Sequence, residues 1–180
     1  MVYVLLGTGF EEMEAIAPID LMRRAGIEVL TVGVTGKTVY GSHKIGVDAD
    51  ILIGEMDLTN LDMIVLPGGL GGVASARASE EAMNALDFAW KNSKFVAAIC
   101  AGPTVLTDLG ITDGKHATCY PGCEDGMGSA IMESNAAVVR DGKLITGTSA
   151  GCAIPFGLEL IRVLKGDEIA NKVKDQIVIR

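Results

Sequence analysis

The sequence predicts a doubly wound α/β fold: a single domain over residues 1–180, with a mostly parallel sheet and helices on both of its faces. Three observations predict it. Val2–Leu6, Met63–Leu66 and Phe95–Ile99 are short, unbroken apolar runs, as strands buried on both faces should be. Helical patterns alternate with them through short connections, and strand–helix–strand repeats of that kind build parallel sheets. The chain has 180 residues, 49% hydrophobic and 21% charged, enough for one packed core and too apolar for a disordered chain.

In chain order, Val2–Leu6 is the first strand. Glu11 to Ala25 reads as a helix closed by Gly26, with Pro18 expected to kink or restart it. Ile27–Val32 is the second strand. Thr38–Tyr40, Lys44–Val47 and Asp50–Ile53 are shorter and suggest hairpins. Met63–Leu66 runs into Pro67-Gly68-Gly69-Leu70-Gly71-Gly72, read as a crossover loop. Ser79 caps a helix reaching about Asn92, its start marked by Glu80 and Glu81. Phe95–Ile99 is the next buried strand, followed by a helix over Pro103–Leu109. Ala136–Arg140 and Leu144–Thr146 form a hairpin through Asp141-Gly142-Lys143. Helices over Ala150–Leu164 and Asp167–Lys174 close the chain. Ligands of such folds bind at the carboxyl ends of the strands, so the loops after Leu6, Leu66 and Ile99 are the ones to inspect.

Composition excludes several partners. Net charge is −8 with a pI near 4.7, which argues against nucleic acid and against an anionic membrane surface. Aromatic residues are 4%, too few for a base-stacking platform. No signal-peptide pattern precedes the first strand, and the longest apolar run, Phe95 to Leu106, is too short to span a bilayer. The four cysteines, at 100, 119, 123 and 152, would stay reduced in a cytosol. A soluble, cytoplasmic protein is expected.

The most informative segment is Val96-Ala97-Ala98-Ile99-Cys100-Ala101-Gly102-Pro103. It sets a cysteine between a buried strand and a helix, with small residues two before and two after, as a nucleophile elbow requires. The helix N-terminus favours thiolate, so Cys100 is predicted to be the most acidic of the four thiols. Gly68-Gly69 can lay backbone N–H groups beside the elbow and, with the N–H of Ala101, form an oxyanion hole. Gly7-Thr8-Gly9-Phe10-Glu11-Glu12-Met13-Glu14 has carboxylates where a dinucleotide fingerprint needs glycine. They complement the helix dipole, and one of them can turn inward towards Cys100. His116 is a candidate partner for Cys100 in a dyad. His116, Cys119 and Cys123 resemble half a metal site, but no second pair of ligands is near, and Cys119 and Cys123 flank Tyr120-Pro121-Gly122, which is turn chemistry. No metal and no cofactor are expected.

Glu11-Glu12-Met13-Glu14, Met22-Arg23-Arg24-Ala25-Gly26-Ile27, Val65-Leu66-Pro67-Gly68-Gly69 and Ala97-Ala98-Ile99-Cys100-Ala101-Gly102-Pro103-Thr104 occur in that order, with Gly166-Asp167-Glu168 before the end. In these the chain resembles the ThiJ/PfpI superfamily, in the branch of the Parkinson-disease-linked protein deglycase. The resemblance implies a flavodoxin-like fold, a homodimer with Met13 and Arg24 in its interface, and a reactive Cys100 held by a protonated Glu14. It puts the oxyanion donors on Gly69 and Ala101, and Gly68 and Tyr120 at the pocket. It implies action on small reactive aldehydes or glycated adducts without a cofactor, of glyoxalase or deglycase type. Two alternatives stand beside that one. Cys100 is a redox sensor oxidised to sulfinate in a non-enzymatic stress or chaperone protein, or it serves a cysteine hydrolase of amidotransferase type. A thiamine-biosynthesis label used in the family finds no support in this chemistry. The sequence departs from the family where Tyr120 replaces a histidine and where His43 and Thr148 replace arginines.

Overall fold

The computed structural model describes residues 1–179. Its elements are β1 (Val2–Leu6), α1 (Glu12–Arg24), β2 (Val29–Gly33), β3 (Thr38–Tyr40), β4 (Gly46–Asp48), β5 (Ile51–Leu52), β6 (Met63–Leu66), α2 (Leu70–Ala78), α3 (Glu80–Lys91), β7 (Phe95–Ile99), α4 (Pro103–Asp108), β8 (His116–Ala117), β9 (Ile131–Met132), β10 (Val138–Asp141), β11 (Leu144–Gly147), α5 (Ala153–Lys165) and α6 (Asp167–Gln176). Seven strands form one sheet in the order β10-β11-β7-β6-β1-β2-β5. Every neighbouring pair in it is parallel except β10 with β11.

Alternation along the strands feeds two cores. Val2, Val4, Leu6, Val65, Ala97 and Ile99 face α1, α5 and α6 on one side. Tyr3, Leu5, Ile64, Leu66, Val96 and Ala98 face α2, α3 and α4 on the other. Both faces are covered, which is why these strands carry no polar alternation. The chain moves from β1 to β2 on one side and then to β6 on the other. The carboxyl ends of β1 and β6 therefore flank the topological switch point, with β7 next to β6.

Several expectations are corrected. Pro18 does not restart α1, which runs through it as one helix. The proline is buried where α1 meets α5, and a side chain on Gly157 would press on its Cα. Tertiary packing thus holds the helix where propensity alone would interrupt it. Gly26 ends α1 as expected: its φ is +67°, its N–H reaches Arg23 O, and the N–H of Ile27 reaches Met22 O.

The second strand starts at Val29, not Ile27. Thr38–Tyr40 pairs with Gly46–Asp48 as a hairpin, but Ile51–Leu52 joins the main sheet as an edge strand parallel to β2. Leu70-Gly71-Gly72 opens the helix α2 rather than continuing a loop. Glycine disfavours helix, but here it allows α2 to touch the first loop: a Cβ on Gly72 would lie 2.7 Å from Phe10 Cα. The short parallel pair β8–β9 has no periodic signal in so few residues.

Candidate active site

Cys100 follows β7 directly and has φ +65°, a left-handed conformation that non-glycine residues seldom adopt. Holding it there costs about 1–3 kcal/mol. The cost is met by bonds on both sides of the residue: Cys100 N–H donates to Gly147 O at 2.9 Å, and Cys100 O accepts from Tyr120 N–H at 2.8 Å. The small neighbours are required sterically. A Cβ on Gly102 would lie 2.9 Å from the carbonyl oxygens of Ile99 and Leu66, and one on Gly68 would collide with the Glu14 carboxyl and with Cys100 Cβ.

Glu14 reaches the same point from the first turn of α1. Glu11 caps that helix by accepting from Glu14 N–H at 2.8 Å, and Gly68 N–H donates to Glu14 Oε2 at 2.9 Å. The Glu14 carboxyl is 1% exposed and hydrogen-bonded to the Cys100 side chain. Burial is the largest influence on it and pushes its pKa up. The bond to Cys100 pulls it down, the charge of Glu11 pushes it up, and N–H groups of Gly68 and Ala150 pull it down, leaving it at about 7.

Burial also pushes the Cys100 thiol up, and Glu14 pushes it further through its charge and its hydrogen bond. The N–H groups of Ala101 and Gly69 pull the other way, and the thiol stands at about 12. The expectation of an acidified thiol is thus overturned for the isolated sulfur. The helix behind it, α4, has only six residues, and burial and Glu14 outweigh it. The two groups titrate as a pair. Between about 7 and about 12 the pair holds one proton, on the sulfur, with the carboxyl ionised beside it. Transfer of that proton to Glu14 creates a thiolate faced by the N–H groups of Gly69 and Ala101.

The other predicted residues lie as follows. Tyr120 adjoins Cys100 through its backbone, and its side chain is 49% exposed. The ring of His116 is turned to Glu133, with Nδ1 2.7 Å from Oε1. Thr148 spends its hydroxyl on Ala136 O and Thr118 Oγ1. His43 is held by Glu12, with Nδ1 2.9 Å from Oε2. Among the described residues, Glu11, Glu12 and His43 alone bring three potential metal-ligand atoms within 4.8 Å of one another. The carboxylate of Glu12 already accepts from Ser42 Oγ and from the N–H groups of His43 and Ile45. His116, Cys119 and Cys123 do not come together as a ligand set. Two contributors escape sequence reasoning, Ala150 N–H on Glu14 and Gly147 O on Cys100, because both arrive from β11 and its following turn, far along the chain.

A family model described as the DJ-1/PfpI family matches residues 1–163. The chain belongs to the DJ-1/PfpI family. A DJ-1/PfpI relative from Danio rerio, called Parkinson disease protein 7 homolog, is 36% identical over 181 residues, covering 98% of this chain and 96% of its own. A protein named deglycase from Pyrococcus abyssi is 31% identical, covering 91% of this chain and 99% of its own. The crystal structure of Drosophila melanogaster DJ-1beta superposes with a TM-score of 0.95 at 34% identity, covering 99% of this chain and 97% of that one. No helix among the described residues of this DJ-1/PfpI chain is long and apolar enough to cross a membrane.

Proposed function

We propose that this protein acts on small reactive aldehydes, or on the adducts they leave on other molecules, through Cys100 and Glu14. The observation that carries the reading is a buried carboxyl set against a cysteine held at positive φ, with the backbone N–H groups of Gly69 and Ala101 at the sulfur. Relatives named deglycase support the substrate class.

With a 2-oxoaldehyde, the thiolate adds to the aldehyde carbon and Glu14 gives its proton to the new alkoxide, forming a hemithioacetal. The Glu14 carboxylate then takes the C–H proton of that carbon and returns it to the neighbouring one, leaving a thioester. Water hydrolyses the thioester to the 2-hydroxy acid and frees the thiol. Methylglyoxal plus water becomes lactate, with no electron left over and no cofactor. Gly69 and Ala101 N–H groups receive the negative charge in each step. A homodimer is part of this reading. Its support is an apolar depression of about 590 Å³ beside Met13, Ile16, Ile45 and Ile154.

The experiment is methylglyoxal consumption with lactate detection, for the wild-type protein, Cys100→Ser, and Tyr120→His. Lactate from the wild type and none from Cys100→Ser is the expected result. An imidazole base at position 120 should raise turnover by about tenfold or more.

A second reading is favoured by one observation: His116 is engaged by Glu133, so no imidazole is bonded to the thiol. Cys100 then serves as a redox sensor whose sulfinate Glu14 holds by its proton. Peroxide-dependent gain of two oxygens at Cys100, without any lactate, would support it and sink the enzyme.

A further inference from the structure

Cys119 and Cys123 bracket the residue that touches Cys100. Tyr120, Pro121, Gly122 and Cys123 form a turn in which Cys123 N–H donates to Tyr120 O at 2.9 Å and Gly122 has φ +98°. Proline in the second place and positive-φ glycine in the third make this a type II turn, with its end Cα atoms under about 7 Å apart. The Cys119 thiol also approaches the Tyr120 carbonyl, with Sγ 3.5 Å from the oxygen. One carbonyl oxygen therefore holds both the sulfur of Cys119 and the backbone of Cys123. The two cysteines also pack in one small apolar cluster with Ala117 and Met127.

We propose that Cys119 and Cys123 are a second redox site, closing to an intramolecular disulfide on oxidation and thereby changing the access of reagents to Cys100. A disulfide needs Cα atoms about 4.4–6.8 Å apart; the turn folds Cys123 back onto Tyr120, the residue next to Cys119, and both cysteines converge on the Tyr120 carbonyl and on one apolar cluster. Accessibility sets the order of events: Cys123 is partly exposed and Cys119 is buried. A peroxide oxidises Cys123 to the sulfenic acid and is reduced to water. The sulfur of Cys119 then attacks that of Cys123, forming the S–S bond and expelling a second water. In total, two thiols lose two electrons and two protons to the peroxide.

The link to the candidate active site is Tyr120. Its N–H holds the Cys100 carbonyl, and its own carbonyl carries both cysteines. A ring closed across residues 119–123 draws that carbonyl's partners together and shifts Tyr120 at the site. Burial, Glu124 and the neighbouring Cys123 push Cys119 up to about 11, and burial and Glu124 push Cys123 up. Both remain thiols near neutral pH, so closure waits for an oxidant.

The test begins with Cys100→Ser, which removes the sulfur of the candidate active site and makes the result independent of any aldehyde chemistry. The folded variant is treated with hydrogen peroxide, unfolded in N-ethylmaleimide and digested with trypsin. Residues 116–140 form one tryptic peptide holding both cysteines. The expected peptide is lighter by two hydrogens and unlabelled, and takes two labels after reduction. Two labels before reduction, separate sulfinates, or a disulfide joining two chains would each overturn the proposal. The coupling is read in the otherwise wild-type chain after diamide, as the rate of Cys100 alkylation by iodoacetamide. A change of about threefold or more, absent from Cys119→Ser and Cys123→Ser, is expected. An unchanged rate with the disulfide formed would refute the coupling.

Discussion

Glu14 is 1% exposed and its carboxyl is raised to about 7 by burial first, so folding favours its protonated form. The sign of the consequence is fixed by linkage. Between the ordinary value of 4.5 and about 7 the folded chain binds more protons here than the unfolded chain. Stability contributed by this residue is therefore present below pH 4.5 and lost as pH rises through about 7. Glu14→Gln keeps the shape and removes the titration. Urea midpoints measured from pH 4.5 to 7.5 should fall with pH more steeply for the wild type than for Glu14→Gln. Parallel curves would mean that Glu14 is not held in an unfavourable setting.

Two elements are placed by single residues. In α2, Gly72→Ala improves helix propensity by about 1 kcal/mol. Its Cβ would lie 2.7 Å from Phe10 Cα and 2.9 Å from Phe10 N, both backbone atoms that cannot rotate away. The clash should win, with a net loss of roughly 1–3 kcal/mol. A higher melting temperature for Gly72→Ala would contradict this close approach.

The hairpin β3–β4 is fastened by Glu12, whose carboxylate takes N–H groups from His43 and Ile45 and the side chains of Ser42 and His43. Burial raises its pKa, but the hydrogen bond from His43 and those from backbone N–H groups overcome that and leave it at about 2. A lowered carboxyl stabilises above its unfolded value of 4.5, and the contribution disappears as pH falls towards 2. Glu12→Ala should lower stability at pH 7 by roughly 1–3 kcal/mol and flatten the acid limb of unfolding. Faster amide exchange over residues 41–45 would locate the loss in the hairpin turn.

At the scale of the whole molecule, Met13 is 59% exposed, Ile45 57%, and Ile16 and Ile154 41% each, all around one depression. Exposed apolar surface of this kind marks an interaction site, and a second copy of the chain is the proposed occupant. Sedimentation at micromolar concentration should show a dimer for the wild type and a monomer for Ile154→Asp. A wild-type monomer would remove the dimer from the proposed function.

The parallel sheet, the elbow at Cys100 and the turn at Tyr120–Cys123 are legible in the chain alone. Those features are local: unbroken apolar runs, small residues about a cysteine, and a Pro-Gly pair whose dihedrals leave little choice. How the site works depends on packing between elements far apart in the chain. Glycine at 71 and 72 reads as loop until Gly9 and Phe10 are seen packed against it. Glu11, Glu12 and Glu14 look alike in the chain, yet one caps α1, one clamps a hairpin and one enters the site. Ala150 and Gly147 contribute from far along the chain. The proton's place followed from burial, which depends on every element packed around the pair, and so a thiol expected to be acidic is instead held protonated beside Glu14.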